Sequence, residues 1–105
     1  MLQSPNTDLR KLETQRQSFG NYLRSRRIDT GLPLKDFAEI ASFSRSTLSN
    51  YETGKILPTL RNVEKLCASL AEVGVEQYKL DVLRQKHEDS LKASSGRVIG
   101  TVLRG

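Results

Sequence analysis

The chain has 105 residues and a net charge of +5, from 17 Lys and Arg against 12 Asp and Glu. With 36% hydrophobic and 28% charged residues, it has the composition of one small globular domain with a modest core. No apolar run approaches a membrane span, one cysteine excludes an internal disulfide, and Cys67 with His87 leaves too few soft ligands for zinc. The polar opening MLQSPNTDLR has no signal-peptide pattern, so the lone thiol points to the cytoplasm. No cofactor is expected. The positive balance suits a phosphate-bearing partner without requiring one.

Three prolines, Pro5, Pro33 and Pro58, punctuate segments of helical rather than strand periodicity. The first segment runs from about Thr7 to Thr30, with Thr7 or Asp8 as cap. Leu9, Leu12, Arg16, Phe19 and Leu23 recur at intervals of three and four. Gly20 weakens this segment, which reads as two helices or one with a bend, and DTG ends it. The second segment is LKDFAEIA, with Pro33 at its first helical position and Leu34, Phe37, Ala38 and Ala41 on one face. The third runs from Ser44 to about Thr53 and opens on a hydroxyl able to accept from first-turn amides. Leu48 and Tyr51 are its only large inward residues, and Gly54 stops it.

Thr59 caps a fourth segment with a stripe of Val63, Leu66, Cys67 and Leu70, in which Cys67 reads as a small core residue. The fifth, Val75 to about Ala93, carries one stripe of Leu80, Leu83, His87 and Leu91 and another of Val75, Tyr78 and Val82. Two stripes on a terminal helix fit one face on its own core and one on a partner. Tyr78, Val82, Leu83 and Leu91 are the expected dimer contacts, and His87 reads as a surface or interface residue. Ser94–Gly96 is read as a flexible joint, and RVIGTVLR, Arg97 to Arg104, has strand chemistry. The expected organisation is a helical extension over 1–17, a core unit over 18–73, a dimerising helix over 74–93 and a tail over 94–105.

LKDFAEIA and SRSTLSNYE, joined by about three residues, have the spacing of a helix-turn-helix. The same spacing fits two ordinary core helices with a polar surface. A helix lying in the DNA major groove carries donors, acceptors and short side chains on its outer face. Arg45, Ser46, Ser49 and Asn50 point away from Leu48 and Tyr51 and occupy that face. Arg can bind guanine and Asn adenine through two hydrogen bonds each.

The pattern LRSRR…GLPLKDFAEIASFSRSTLSNYETGKILPT…VEKLCASL, from Phe19 to Leu70, resembles the Cro and phage-repressor family, the xenobiotic-response-element type. DFAEIA, STLSNYETGK with the Pro after it, and VEKLCASL carry most of the likeness. The resemblance implies a compact five-helix, lambda-repressor-like domain that binds a two-fold DNA operator as a dimer. It implies that Arg45, Ser46, Ser49 and Asn50 face bases or nearby phosphates, and that Ser44, Lys35, Lys55, Arg24 and Arg61 contact the backbone. It also implies a structural ion pair between Arg27 and Glu52. Two positions depart from the pattern. Ser42 stands where the family has Gly, and a positive φ there costs about 1 kcal/mol. Leu34 stands where the family often has a phosphate-binding Gln, with Pro33 in the capping position. Leu34 has no donor, which shifts weight to Arg24, Arg26, Lys35 and Lys55.

Catalysis has no support: no nucleophile–base pair, Gly-rich phosphate loop or metal set is present. The expected function is a dimeric transcriptional regulator, a repressor. The competing reading is an antitoxin or adaptor that binds a partner protein through the Val75–Ala93 helix and the tail.

Overall fold

A computed structural model describes the backbone over residues 3–104 and the side chains over residues 10–93. Five α-helices follow one another: α1 Gln3–Asp29, α2 Leu34–Ala41, α3 Arg45–Glu52, α4 Leu60–Glu72 and α5 Gln77–Arg104. No strand occurs among the described residues, and the fold is all-α.

Each helix contributes its apolar face to one core. Phe19 and Leu23 come from α1, Phe37, Ala38 and Ala41 from α2, and Leu48 and Tyr51 from α3. Val63, Leu66, Cys67 and Leu70 come from α4, and Leu80 and Leu83 from α5. Burial pushes the Cys67 thiol up to about 11, so it is neutral and unreactive near pH 7. The two long helices are antiparallel. Ser18 Oγ meets Lys86 Nζ at 3.1 Å, the Phe19 ring meets the His87 ring edge at 5.8 Å, and Tyr22 donates to the Lys79 carbonyl at 3.0 Å.

Helix ends follow from local chemistry. Ser44 Oγ accepts from the Thr47 amide at 3.0 Å, and Thr59 Oγ1 from the Asn62 amide at 3.2 Å, satisfying first-turn donors. After α2, Ser42 adopts φ 62 and ψ 42, the left-handed region. The Phe43 amide then reaches the Ala38 carbonyl at 2.9 Å and the Ser42 amide reaches Glu39 at 3.2 Å, a Schellman closure. Gly54 closes α3 the same way, with the Lys55 amide on the Asn50 carbonyl at 3.0 Å. Its φ is 79, and a Cβ there would also stand 3.0 Å from the Gln17 Cα of α1.

Two features join α1 to α3. A Cβ on Gly20 would sit 2.5 Å from the backbone oxygens of both Tyr51 and Glu52, so only glycine lets the helices come this close. Arg27 grips Glu52 with two hydrogen bonds, Nε to Oε2 at 2.7 Å and Nη2 to Oε1 at 3.0 Å. Its third, from Nη1, goes to the Leu32 carbonyl at 2.8 Å. Both residues are buried. The hydrogen bond to Glu52 raises the Arg27 pKa, against the opposing effect of burial.

Several expectations change. α1 is one continuous helix through Gly20, which acts at a close contact rather than a break. It starts at Gln3, upstream of Thr7 and Asp8. The side chains of Thr7, Asp8 and Leu9 lie outside the described residues. Pro33 is the N-cap of α2, with extended ψ 159, and not its first helical residue. The backbone of Arg97–Arg104 is helical, as is Ser94–Gly96, so neither a strand nor a joint interrupts α5. The five β-branched or apolar residues of Arg97–Arg104 find no strand to pair with among the described residues, and the helix continues through them. His87 is not a surface residue: it is 2% exposed, with Nε2 2.7 Å from the Pro58 carbonyl. That contact requires a proton on Nε2, since the carbonyl only accepts.

Four substitutions, two of them combined, are read by urea denaturation. Gly20→Ala lowers stability by about 1–3 kcal/mol, because the methyl meets backbone, whereas the same change in an unobstructed helix stabilises. Ser42→Gly raises stability by about 1 kcal/mol, since relief of the left-handed strain removes no buried contact. Glu52→Leu costs about 3 kcal/mol by leaving Arg27 buried without its partner, and adding Arg27→Met recovers more than half of that loss. A Glu52→Leu cost below about 1 kcal/mol would show that the pair contributes little.

Candidate nucleic-acid interface

The segment α2–turn–α3 presents one exposed polar face. Leu48 and Tyr51 are buried beneath α3, and Glu52 is held by Arg27. Tyr51 is fixed at both ends. Its ring meets Phe43 edge-on at 5.6 Å, and its hydroxyl accepts from Asn62 Nδ2 at 2.9 Å. These contacts set the roll of α3 about its axis. Arg45 and Ser46 are therefore exposed, and Ser49 and Asn50 are half-buried at the margin of the same outer face. This face offers a guanidinium, a carboxamide and two hydroxyls, with no large apolar group among them.

The expected backbone-contact residues take different positions. Ser44 is exposed, but its hydroxyl is engaged: it caps Thr47 and donates to Thr47 Oγ1 at 2.8 Å. Lys35 is exposed in the first turn of α2. Pro33 supplies no side-chain cap there, and Leu34 turns partly into the core. Lys55 is exposed just past α3, on a loop folded back by two hydrogen bonds to the Asn50 carbonyl, from the Lys55 amide at 3.0 Å and from Ile56 at 3.3 Å. Arg61 is exposed in the first turn of α4, beside the Asn62 that holds Tyr51. Arg24 lines a groove between α1 and α3 with Gln17, Asn21, Leu34, Ser49 and Thr53. Gln17 and Asn21 are additions to the expected set. They lie seven and three residues before Arg24, which puts them on the Arg24 side of α1, a periodicity visible in the sequence once that face is singled out.

Positive charge is distributed unevenly. Arg26, Arg27, Lys79, Arg84 and Lys92 each pair with a carboxylate. Hydrogen bonds donated to Glu76 and Glu64 raise the pKa values of Lys79 and Arg84 respectively. Among the described residues, Arg24, Lys35, Arg45, Lys55 and Arg61 have no such pair. Compensated cations thus gather on α5 and the end of α1, while Lys35, Arg45, Lys55 and Arg61 lie uncompensated on and around α2 and α3; Arg10, Lys11 and Arg16 on α1, Lys65 on α4 and Lys86 on α5 also lack a carboxylate partner among the described residues.

The expected dimer residues do not form one patch. Leu83 is fully buried in the protomer's own core and is unavailable to a partner. Tyr78 and Val82, 63% and 39% exposed, share one side of α5. Leu91 is 41% exposed but lies about 220° around the helix from Tyr78, in line with the core stripe.

Among the described residues no group of three His, Cys, Asp or Glu side chains could hold a metal, and no helix is long and apolar enough to cross a membrane. No curated protein matches the chain. Residues 18–76, more than half of the chain, match the family model described as "Helix-turn-helix domain", and the chain belongs to that family.

Proposed function

We propose that this protein is a sequence-specific, double-stranded DNA-binding transcriptional regulator of the Cro and phage-repressor type, acting as a dimer and repressing its target. One observation carries the reading: the only polar, short-chained face of the helix-turn-helix is the outer face of α3, and the contacts of Tyr51 hold it outward. On this reading α3 enters the major groove. Arg45 and Asn50 read base edges, with Ser46 and Ser49 bonding to bases or adjacent phosphates. Lys35, Lys55, Arg24 and Arg61 hold the flanking phosphates and set the register, and Ser44 fixes the start of α3. Leu34 contributes no donor, so affinity depends on these cations. Tyr78 and Val82 are the α5 residues exposed for a second protomer. Such a regulator works in the cytoplasm and needs neither catalysis nor a cofactor.

Enrichment of bound duplexes from a random-sequence pool tests the reading directly. A specific reader enriches one sequence and prefers it about a thousandfold over a scrambled duplex in fluorescence anisotropy. Arg45→Ala then weakens that preference by about 1–3 kcal/mol and leaves the thermal melt unchanged. Failure to enrich any sequence overturns specific recognition, and a mutant that binds as wild type removes Arg45 from the reading set.

A further inference from the structure

α1 presents a face that the helix-turn-helix match does not account for. Arg10, Thr14, Gln17, Asn21 and Arg24 follow at intervals of four, three, four and three residues, so they share one side of a continuous helix. All five are exposed. The first three precede the matched span, which begins at residue 18. They mix two guanidiniums with hydroxyl and carboxamide groups, the side chains that commonly bond to phosphate oxygens. One carboxylate, Glu13, borders the row, and one apolar residue, Ile28, ends it a turn beyond Arg24.

The row is aligned with α3. Gln17, Asn21 and Arg24 form one wall of the groove whose other wall is Ser49 and Thr53. Gly54, at the end of α3, rests against the Gln17 backbone, and Gly20 brings the two helices to their closest approach. Along α1 from Gln17 to Arg24, the facing residues lie between Gly54 and Ser49, so α1 flanks the C-terminal half of α3. A helix with its side chains, about 10–12 Å across, fills a major groove about 12 Å wide. A second helix packed about 8–10 Å to one side lies over the rim of that groove, where the phosphates are.

We propose that this face of α1 is a second DNA-binding surface, which holds the phosphate backbone beside α3 and extends the footprint past the helix-turn-helix through Arg10, Thr14 and Gln17. The proposal rests on the DNA-reading role of α3. The row from Arg24 to Arg10 is about 21 Å long, which corresponds to about six base pairs of duplex. Its contacts are to phosphate, so it adds affinity and salt dependence without adding sequence preference.

The test uses the full chain and the duplex enriched above, made in several lengths, with anisotropy titrations at several salt concentrations. On a long duplex, Arg10→Ala reduces the slope of log K against log salt by about one, and binding weakens by the same factor on enriched and scrambled sequences. Arg10→Lys restores the slope. On a duplex trimmed to the α3 site, Arg10→Ala and wild type bind alike. Thr14→Ala on the long duplex lowers affinity and leaves the slope unchanged, because threonine carries no charge. If Arg10→Ala matches wild type in affinity and slope on the long duplex while Arg45→Ala loses sequence preference, the α1 surface is refuted and the reading of α3 stands. If wild type enriches no sequence and Arg45→Ala binds every duplex as wild type does, both fall together.

Discussion

Everything presented by α3 depends on how closely α1 can approach its C-terminal end. At Gly20 the backbone of α1 meets the carbonyl oxygens of Tyr51 and Glu52, with no room for a Cβ. The contact brings Arg27 within reach of Glu52 for a two-point hydrogen-bonded pair, and the same guanidinium ties down the Leu32 carbonyl ahead of α2. A planar guanidinium suits this task because its donors lie in a fixed fork, so one side chain orients three pieces of backbone. Burial makes the pair specific more than strongly stabilising, since both charges give up water to form it.

That clamp leaves α3 with two unlike faces. The inner one holds Leu48, Tyr51 and Glu52, each with defined neighbours. The outer one is made of groups that gain little from burial and much from a polar ligand. Its side chains can stay short because the core below is already closed by Phe37, Val63 and Leu66. The turn before α3 also has to be tight, and Ser42 meets that demand in the left-handed region where glycine is easier. His87 extends the same logic to the other side: a buried imidazole spans from α5 to the Pro58 carbonyl at the start of α4's approach. The loop that carries Lys55 is therefore fixed both by the end of α3 and by the C-terminal helix.

Charge is arranged along the same division. Arg84 bonds Glu64 and Asp81, which links α5 to α4 and cancels its field locally. Lys65 stacks over Phe43 at 4.4 Å, and Lys86 bonds Ser18, so neither stands out from the surface as a free arm. The cations around α2 and α3 have no such local partner among the described residues. A net +5 is modest, and four of the unpaired cations, Lys35, Arg45, Lys55 and Arg61, lie around the polar face of α3.

The periodicities of LKDFAEIA, SRSTLSNYE and VEKLCASL determined by themselves that α2, α3 and α4 exist, that Ser44 and Thr59 cap α3 and α4, and which faces the helices bury, because helix spacing and capping are local physics. They also determined that Arg45, Ser46, Ser49 and Asn50 share a side away from Leu48 and Tyr51. Tertiary structure decided the rest. Gly20 reads as a helix breaker until the carbonyls of α3 are placed against it. His87 and Leu83 sit in stripes that fit either a core or a partner, and only the antiparallel docking of α1 along α5 separates them from Tyr78 and Val82. RVIGTVLR has strand composition, yet strand formation needs a pairing partner supplied from elsewhere in the fold, and the chain continues as helix. Pairing, close approach and burial are relations between distant residues, and no local pattern contains them.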